Sequence, residues 1–401
     1  MRVLTFDNET TIRNKGNPFT RSNFLCTVGI LVVEDGIEIF YRDLNFLTEP
    51  HQELLDTIQK ELDLADLIIG FNIKFDLHWL RRYGITFDDA KVWDVQVAEF
   101  IISNQKNTYP SLDDTGEKYG QGRKLDIVKT EYWDKGIDTP DVPAYILAEY
   151  QEQDVRLTYL CYLYQIALLN ELPLKHRLIT LACQDLLVLE EMEWNGLKYE
   201  SEKSLLLGDD LQRSTQDLDE RLRSLFPGIP INWNSGDHLS AVLFGGRIVE
   251  RRQIPTGVYK TGIKAGQTKL GWTEVQYDLP RLVEPNKSDE LSSTKGFSNE
   301  DAILRKGSRM YATNEGVLKS LKSTSKAKEI IGIILERSEK EKLRGTYYHG
   351  IPKLCEEMDW EPNMIHGQLN QVVAATGRLS ATKPNQQNMP PEFDALLITR
   401  F

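Results

Sequence analysis

The sequence predicts an α/β domain with a mixed sheet, followed by a mainly α-helical region. Three observations predict it. The first 165 residues alternate short apolar runs with helix-period segments, the pattern of strands and helices that share one core. The string Glu171-Leu172-Pro173 then interrupts a long helical stretch. Beyond it, charged amphipathic segments dominate and apolar runs are few. The expected division is therefore one domain over 1–170 and a second over 171–401, a domain count that 401 residues allow.

The elements follow in order. Residues 3–6 form a short apolar strand. Residues 24–33 and 37–41 read as strands joined by the turn residues Glu34-Asp35-Gly36. Leu54, Leu55, Ile58 and Leu62 recur at helical spacing within 51–64. The run LIIGF at 67–71 is a buried strand. Helices are expected at 75–83 and 94–103, the second capped by Asp94. Residues 109–122 are polar and turn-rich, and 142–169 is one long apolar-periodic helix. After the boundary, a helix over 176–194 stops at Asn195-Gly196. A second, over 203–225, ends before Pro227-Gly228. Residues 254–306, rich in Gly, Lys, Ser and Thr, read as extended and partly mobile. Residues 314–345 are helical and charged, and 363–401 form strands and loops.

Charge narrows the function. The net charge of −12 argues on its face against a nucleic-acid partner. Its distribution argues otherwise. Residues 1–165 hold 17 Lys/Arg against 28 Asp/Glu, whereas 241–353 hold 21 against 13. An acidic first part suits a carboxylate metal site, and a basic stretch suits phosphate contacts. No apolar run approaches the roughly 18 residues of a membrane span. The four cysteines are scattered with no CxxC pair, so neither a disulfide framework nor a zinc ribbon is expected. The expected location is the cytoplasm.

Three acidic strings lie in the first domain. Asp7-Asn8-Glu9 ends the opening strand, where residues two apart point to one side. Asn72-Ile73-Lys74-Phe75-Asp76 follows the LIIGF strand. Tyr150 and Asp154 lie four apart on the long helix and so share a face. Four carboxylates could hold two hard divalent cations, Mg2+ or Mn2+, which together can clamp an in-line phosphoryl displacement. A tyrosine hydroxyl beside them could orient an attacking water. Any one of these acids taken alone would read as a surface residue or a helix cap.

As an ordered set, FDNET, GFNIKFD and YQEQD resemble the three motifs of the DEDDy 3′-5′ exonucleases, the proofreading domains of family A DNA polymerases. The resemblance covers about residues 1–165 and implies a ribonuclease H-like fold. It also implies that Asp7, Glu9 and Asp154 surround one metal ion. Asp7 would bridge to a second ion, with Asp76 supporting it through water. Tyr150 would orient the water, and Asn72 would help position the DNA strand.

In the second part, TGRLS at 376–380, followed by PNQQNMP at 384–390, resembles the string that precedes the palm of family A DNA polymerases. That likeness implies minor-groove contacts from Arg378, Gln387 and Asn388, where acceptors common to all base pairs suit an arginine donor. LVLEEMEWNG, WNSGDHLSAVLF and the helical stretch 314–348 resemble other parts of the same module, a thumb and the leading edge of the palm. The family's later palm and fingers motifs are not found in these 401 residues. The expected partners are single-stranded 3′ ends and primer-template DNA, together with a second polypeptide carrying palm and fingers. Residues 254–306 are the candidate dock for a processivity factor. The expected function is a metal-dependent proofreading exonuclease joined to part of a DNA-directed DNA polymerase, a nucleotidyltransferase of phage type that would act in a host cytoplasm. A non-catalytic DNA clamp and a fragment of a complete polymerase are the alternatives. The intact acid set argues against the clamp.

Overall fold

The computed structural model describes residues 1–290 and 310–399. Packing divides the chain into two compact units, Met1–Lys203 with Ile351–Phe401, and Ser204–Gly350. The division expected at 170/171 is not where the packing divides. The helix after it, Pro173–Asn195, buries Ile179, Cys183 and Leu186 in the same core as the sheet.

The first unit is built on a five-stranded sheet of order β3-β2-β1-β4-β5. Its strands are β1 Arg2–Thr10, β2 Leu25–Glu34, β3 Ile37–Asn45, β4 Leu67–Gly70 and β5 Val92–Asp94. The first three pair antiparallel, and β4 and β5 join parallel to β1, so the sheet is mixed. β1 is longer than its apolar run. Asp7, Asn8 and Glu9 continue it because they pair with Gly29, Val28 and Thr27 of β2. Their polarity hides the strand from periodicity.

Around the sheet lie α1 His51–Leu64, α2 Ile73–Arg82, α3 Val95–Ile102, α4 Leu112–Lys118, α5 Ile127–Glu131, α6 Ala144–Leu169 and α7 Pro173–Asn195. Asp94 caps α3 by accepting from the Val97 amide at 2.9 Å, and its other oxygen takes the Ile73 amide at the start of α2 at 2.8 Å. One buried carboxylate thus sets two helix starts. Residues 109–122 are not all loop. Ser111 caps α4 by accepting from the Asp114 amide. α4 has only two turns and one buried leucine, too little for a periodic signal. α6 crosses close over the sheet at Gly29. A Cβ there would lie 2.8 Å from the Gln151 side chain and 3.0 Å from the Tyr41 hydroxyl. The Gln151 amide also donates to the Asp7 carbonyl at 3.1 Å. These two contacts fix the height of α6 one turn from Asp154.

The stretch from Ile351 onward returns to this unit. Short strands at Met364–Ile365 and Leu397–Ile398 flank β6, Leu197–Tyr199. Gln368–Asn370 and Ser380–Thr382 form an antiparallel hairpin.

In the second unit, helix α8 (Ser201–Leu225, from Ser204 onward), α9 Gly236–Phe244 and a charged helix Ser325–Lys342 bury Leu222, Val242, Leu243, Ile330 and Ile334 against one another. The helical stretch after 314 is broken. Glu315–Ser320 ends before Thr324, which caps the next helix by accepting from the Ala327 amide. Gly246–Val258 and Thr268–Leu279 form a long two-stranded hairpin where an irregular extended segment was expected. The rest of that segment from 291 to 306 lies outside the described residues. No helix among the described residues is long and apolar enough to cross a membrane.

Candidate metal centre and nucleic-acid interface

β1 and α6 bring three acids together. One carboxylate oxygen from each of Asp7, Glu9 and Asp154 lies within 4.8 Å of the others. Asp7 is part-exposed and the other two are buried. Asp76, on the first turn of α2, is 3% exposed and accepts from the Asn8 amide at 3.1 Å. The Asn8 side chain in turn donates to the Asp76 carbonyl at 3.0 Å. The residue between the two acids of β1 therefore ties the third motif residue to the strand.

Burial and mutual repulsion disfavour the charged forms here. Burial, then the Asp154 charge, pushes Asp7 up to about 7. Burial, then the Asp7 charge, holds Glu9 and Asp76 well above the usual carboxylate range. Burial also raises Asp154, against the pull of Lys124. Asp154 Oδ1 and Asn8 Oδ1 are buried with no hydrogen-bond partner among the described residues. Clustered oxygen donors, too few cations and an orphaned carboxylate oxygen fit a hard divalent cation. Asp7, Glu9 and Asp154 would hold it, with Asp76 beside Asp7.

Tyr150 is 2% exposed and packs on Val128, Val142 and Leu147. Burial and the neighbouring acids push its phenol up, so the hydroxyl stays protonated and can donate. Lys124 lies against it, Nζ to hydroxyl 2.7 Å, and bonds Asp154 Oδ2 at 3.1 Å. Sequence reasoning missed Lys124. It sits in the non-periodic loop Gly122-Arg123-Lys124, and only the fold brings it to the acids.

Asn72 is exposed at the start of α2 with a left-handed backbone, φ 56°. Arg378, Gln387 and Asn388 are exposed on the returning segment. The Gln387 amide donates to the Leu379 carbonyl at 3.2 Å, which holds it beside Arg378. Asn385 closes the turn by accepting from the Gln387 amide N–H at 3.2 Å. Tyr109, also unforeseen, is exposed. It reaches this hairpin through its amide to the Val372 carbonyl, 2.9 Å, and its hydroxyl to Asn370 Oδ1, 3.2 Å.

Comparison with known proteins meets this geometry from the other side. Residues 288–398 match the family profile of DNA polymerase family A. Over that stretch the chain is similar to family A DNA polymerases. DNA polymerase I of Bacillus subtilis strain 168 is 24% identical over 328 residues, 78% of this chain and 28% of that protein. DNA polymerase I of Geobacillus stearothermophilus is 26% identical over 373 residues, 90% of this chain and 34% of that protein. The DNA polymerase of Bacillus phage SP01 is 24% identical over 360 residues, 86% and 36%. The chain thus spans about a third or less of these relatives' own length. Among solved structures, the POL domain of Pol1 from M. smegmatis, in complex with DNA primer-template and dNTP, superposes with a TM-score of 0.63 at 19% identity. That match covers 98% of this chain and 53% of the other, and at this identity it speaks for the fold.

Proposed function

We propose that the first unit is a DEDDy-type 3′-5′ exonuclease on a ribonuclease H-like sheet, serving proofreading by a family A DNA polymerase in DNA replication. The observation that carries this reading is the meeting of Asp7, Glu9 and Asp154 within 4.8 Å beside a buried, protonated Tyr150. The β3-β2-β1-β4-β5 order and the three antiparallel strands joined to two parallel ones support the fold assignment.

When bound, a pair of Mg2+ or Mn2+ ions would neutralise the scissile phosphodiester and acidify a water beside it. The chain's residues do the remaining work. Asp7, Glu9 and Asp154 hold the charge together, and Asn8 keeps Asp76 facing the same cleft. The Tyr150 hydroxyl donates a hydrogen bond that orients the attacking water in line with the P–O3′ bond that breaks, so that the 3′ oxygen of the remaining strand leaves and the terminal nucleotide departs with its 5′ phosphate. Asn72, exposed at the edge of this cleft's helix, contacts the single strand. Arg378, Gln387 and Asn388 reach the minor groove of primer-template DNA, where an arginine donor tolerates every base pair.

Single-stranded DNA labelled at its 5′ end tests the reading. With Mg2+ or Mn2+ it should shorten stepwise from the 3′ end. A chelator should stop the reaction, and Asp7→Ala should abolish it. Intact DNA under both metals, with folded protein that still binds the strand, would leave the non-catalytic clamp as the function.

A further inference from the structure

We propose that Lys124 is a positioning residue of the acidic cleft, one that locks Tyr150 to Asp154 for turnover and weakens metal binding by supplying a resident positive charge. The inference rests on the exonuclease reading of that cleft. Its starting point is the triangle of Lys124 Nζ, the Tyr150 hydroxyl at 2.7 Å and Asp154 Oδ2 at 3.1 Å. The Lys124 side chain is 27% exposed against 6% for that of Asp154, so the ammonium enters from the solvent side over buried acids.

Its placement is built into the loop. The Lys124 amide donates to Asp113 Oδ1 at 2.8 Å, and the Gln153 side chain donates to the Arg123 carbonyl at 2.9 Å. Arg123 pairs with Glu117 of α4 at 2.9 Å. Beneath the loop, a Cβ on Gly116 would lie 2.5 Å from the Gly122 carbonyl oxygen and 2.9 Å from Leu157, so the loop rests directly on α4 and α6. A lysine tethered at its own amide and through both the backbone and the side chain of the residue before it is not a wandering surface charge.

Two consequences follow from its chemistry. An ammonium has three donors and no acceptor. By donating to the Tyr150 oxygen it occupies that atom's lone pair and leaves the phenolic hydrogen to point elsewhere, toward Asp154 or a water. Charge gives the second consequence. The four carboxylates, two divalent ions, one ammonium and one phosphodiester sum to zero. Without the ammonium the substrate-bound site keeps a net negative charge, while the metal-free site becomes more attractive to cations.

Mn2+ titration followed by electron paramagnetic resonance, without DNA, is paired with steady-state exonuclease kinetics on wild type, Lys124→Met and Lys124→Arg. Lys124→Met should bind Mn2+ about tenfold more tightly. Its kcat should fall roughly 10²-fold with KM for the DNA end nearly unchanged. Lys124→Arg, which keeps the charge, should restore wild-type metal affinity and part of kcat. A merely structural lysine would lower metal affinity and kcat together. That outcome, or a Lys124→Met protein matching wild type in both, overturns the proposal and leaves the metal centre standing. If wild type and Asp7→Ala alike show no Mn2+ binding, the metal-centre reading itself fails.

Discussion

Helix α2 carries two opposite solutions to the same problem. On one face, Asp76 joins Asp7, Glu9 and Asp154, and the only cation in hydrogen-bond contact with these acids among the described residues is Lys124. On the other face, Lys74, His78 and Arg81, spaced four and three apart, meet two buried glutamates of α7. Glu193 accepts from Lys74 at 2.6 Å, from His78 at 2.8 Å and from the Leu369 amide at 2.5 Å. Glu190 takes Arg81 through both oxygens, the shorter contact being 2.7 Å, and lies 3.0 Å from the other ring nitrogen of His78. Burial penalises these two glutamates as well, but their partners outweigh it and hold both below the usual carboxylate range. In the cleft, burial wins. The chain neutralises one acid cluster with its own side chains and leaves the other needing charge from outside. The first arrangement stabilises the fold, and the second is what a cation-binding site requires.

The largest expected effect separates the two clusters. Asp7→Ala should lower exonuclease turnover by several orders of magnitude while leaving thermal stability equal or raised, because it relieves repulsion among buried acids. Rapid-quench assays and a melting curve on the same preparation check both halves. Near-normal degradation by a well-folded variant would remove Asp7 from the site. Glu193→Ala should do the reverse. It removes the carboxylate paired with Lys74 and one of the two beside His78, and breaking such a buried pair costs about 3–5 kcal/mol. The melting temperature should fall by more than about 6 °C, with turnover per folded molecule little changed. Equal stability losses for the two variants would erase the contrast.

Tyr150→Phe probes the cleft more finely. It keeps the ring against Trp133 and Leu147 and removes only the hydroxyl. Orientation of a water belongs at the low end of what positioned acid-base groups contribute, so turnover should fall about 10²-fold. Asp154→Ala should cost more, since it removes a ligand and the partner of Lys124 together. A variant that is silent at every pH would make Tyr150 a core residue.

How much of this was legible in the sequence differs between the two faces of α2. Asp7, Glu9, Asp76, Tyr150 and Asp154 could be picked out because their strings have fixed local spacing, and strand and helix periods say which residues share a side. Glu190 and Glu193 could not. Within LVLEEMEWNG they are two acids among several, and only the packing of α7 on α2, more than a hundred residues away in sequence, makes them buried. Lys124 was hidden for the same reason, in a loop with no period. The fold shows the same limit. Helices with continuous apolar faces, such as 51–64 and 142–169, were readable to within two residues. The apolar run of β1 marked only 3–6, and its polar end, read from the spacing of its acids, is held in the strand by pairing with β2. The return of 351–401 to the first unit was also invisible, since β6, 364–365 and 397–398 pair across long separations in strands of two or three residues.

The smallest expected effect is on stability against pH, and the two clusters should pull in opposite directions. Glu190 and Glu193 are held below their ordinary value of 4.5. Their stabilisation is therefore complete above that value and fades as pH falls through their folded-state values. Asp7, Glu9 and Asp76 are held above theirs. Their contribution is complete below about pH 4 and is lost as pH rises, through about 7 for Asp7. Without divalent ions, the first unit should be most stable in mildly acidic solution and decline on both sides, each limb by no more than about 1.4 kcal/mol per pH unit for each proton exchanged. Urea unfolding followed by fluorescence of the buried Trp79 and Trp93 reads this curve. Saturating Mg2+ should flatten the high-pH limb, because ions that bind only the folded cleft stabilise it where its acids are charged. Glu193→Gln should flatten the low-pH limb and leave the other untouched. If Mg2+ flattened neither limb, the cleft would not be the acid cluster that takes its charge from solution. If Glu193→Gln altered the high-pH limb instead, the two faces of α2 would be one coupled network rather than two separate solutions.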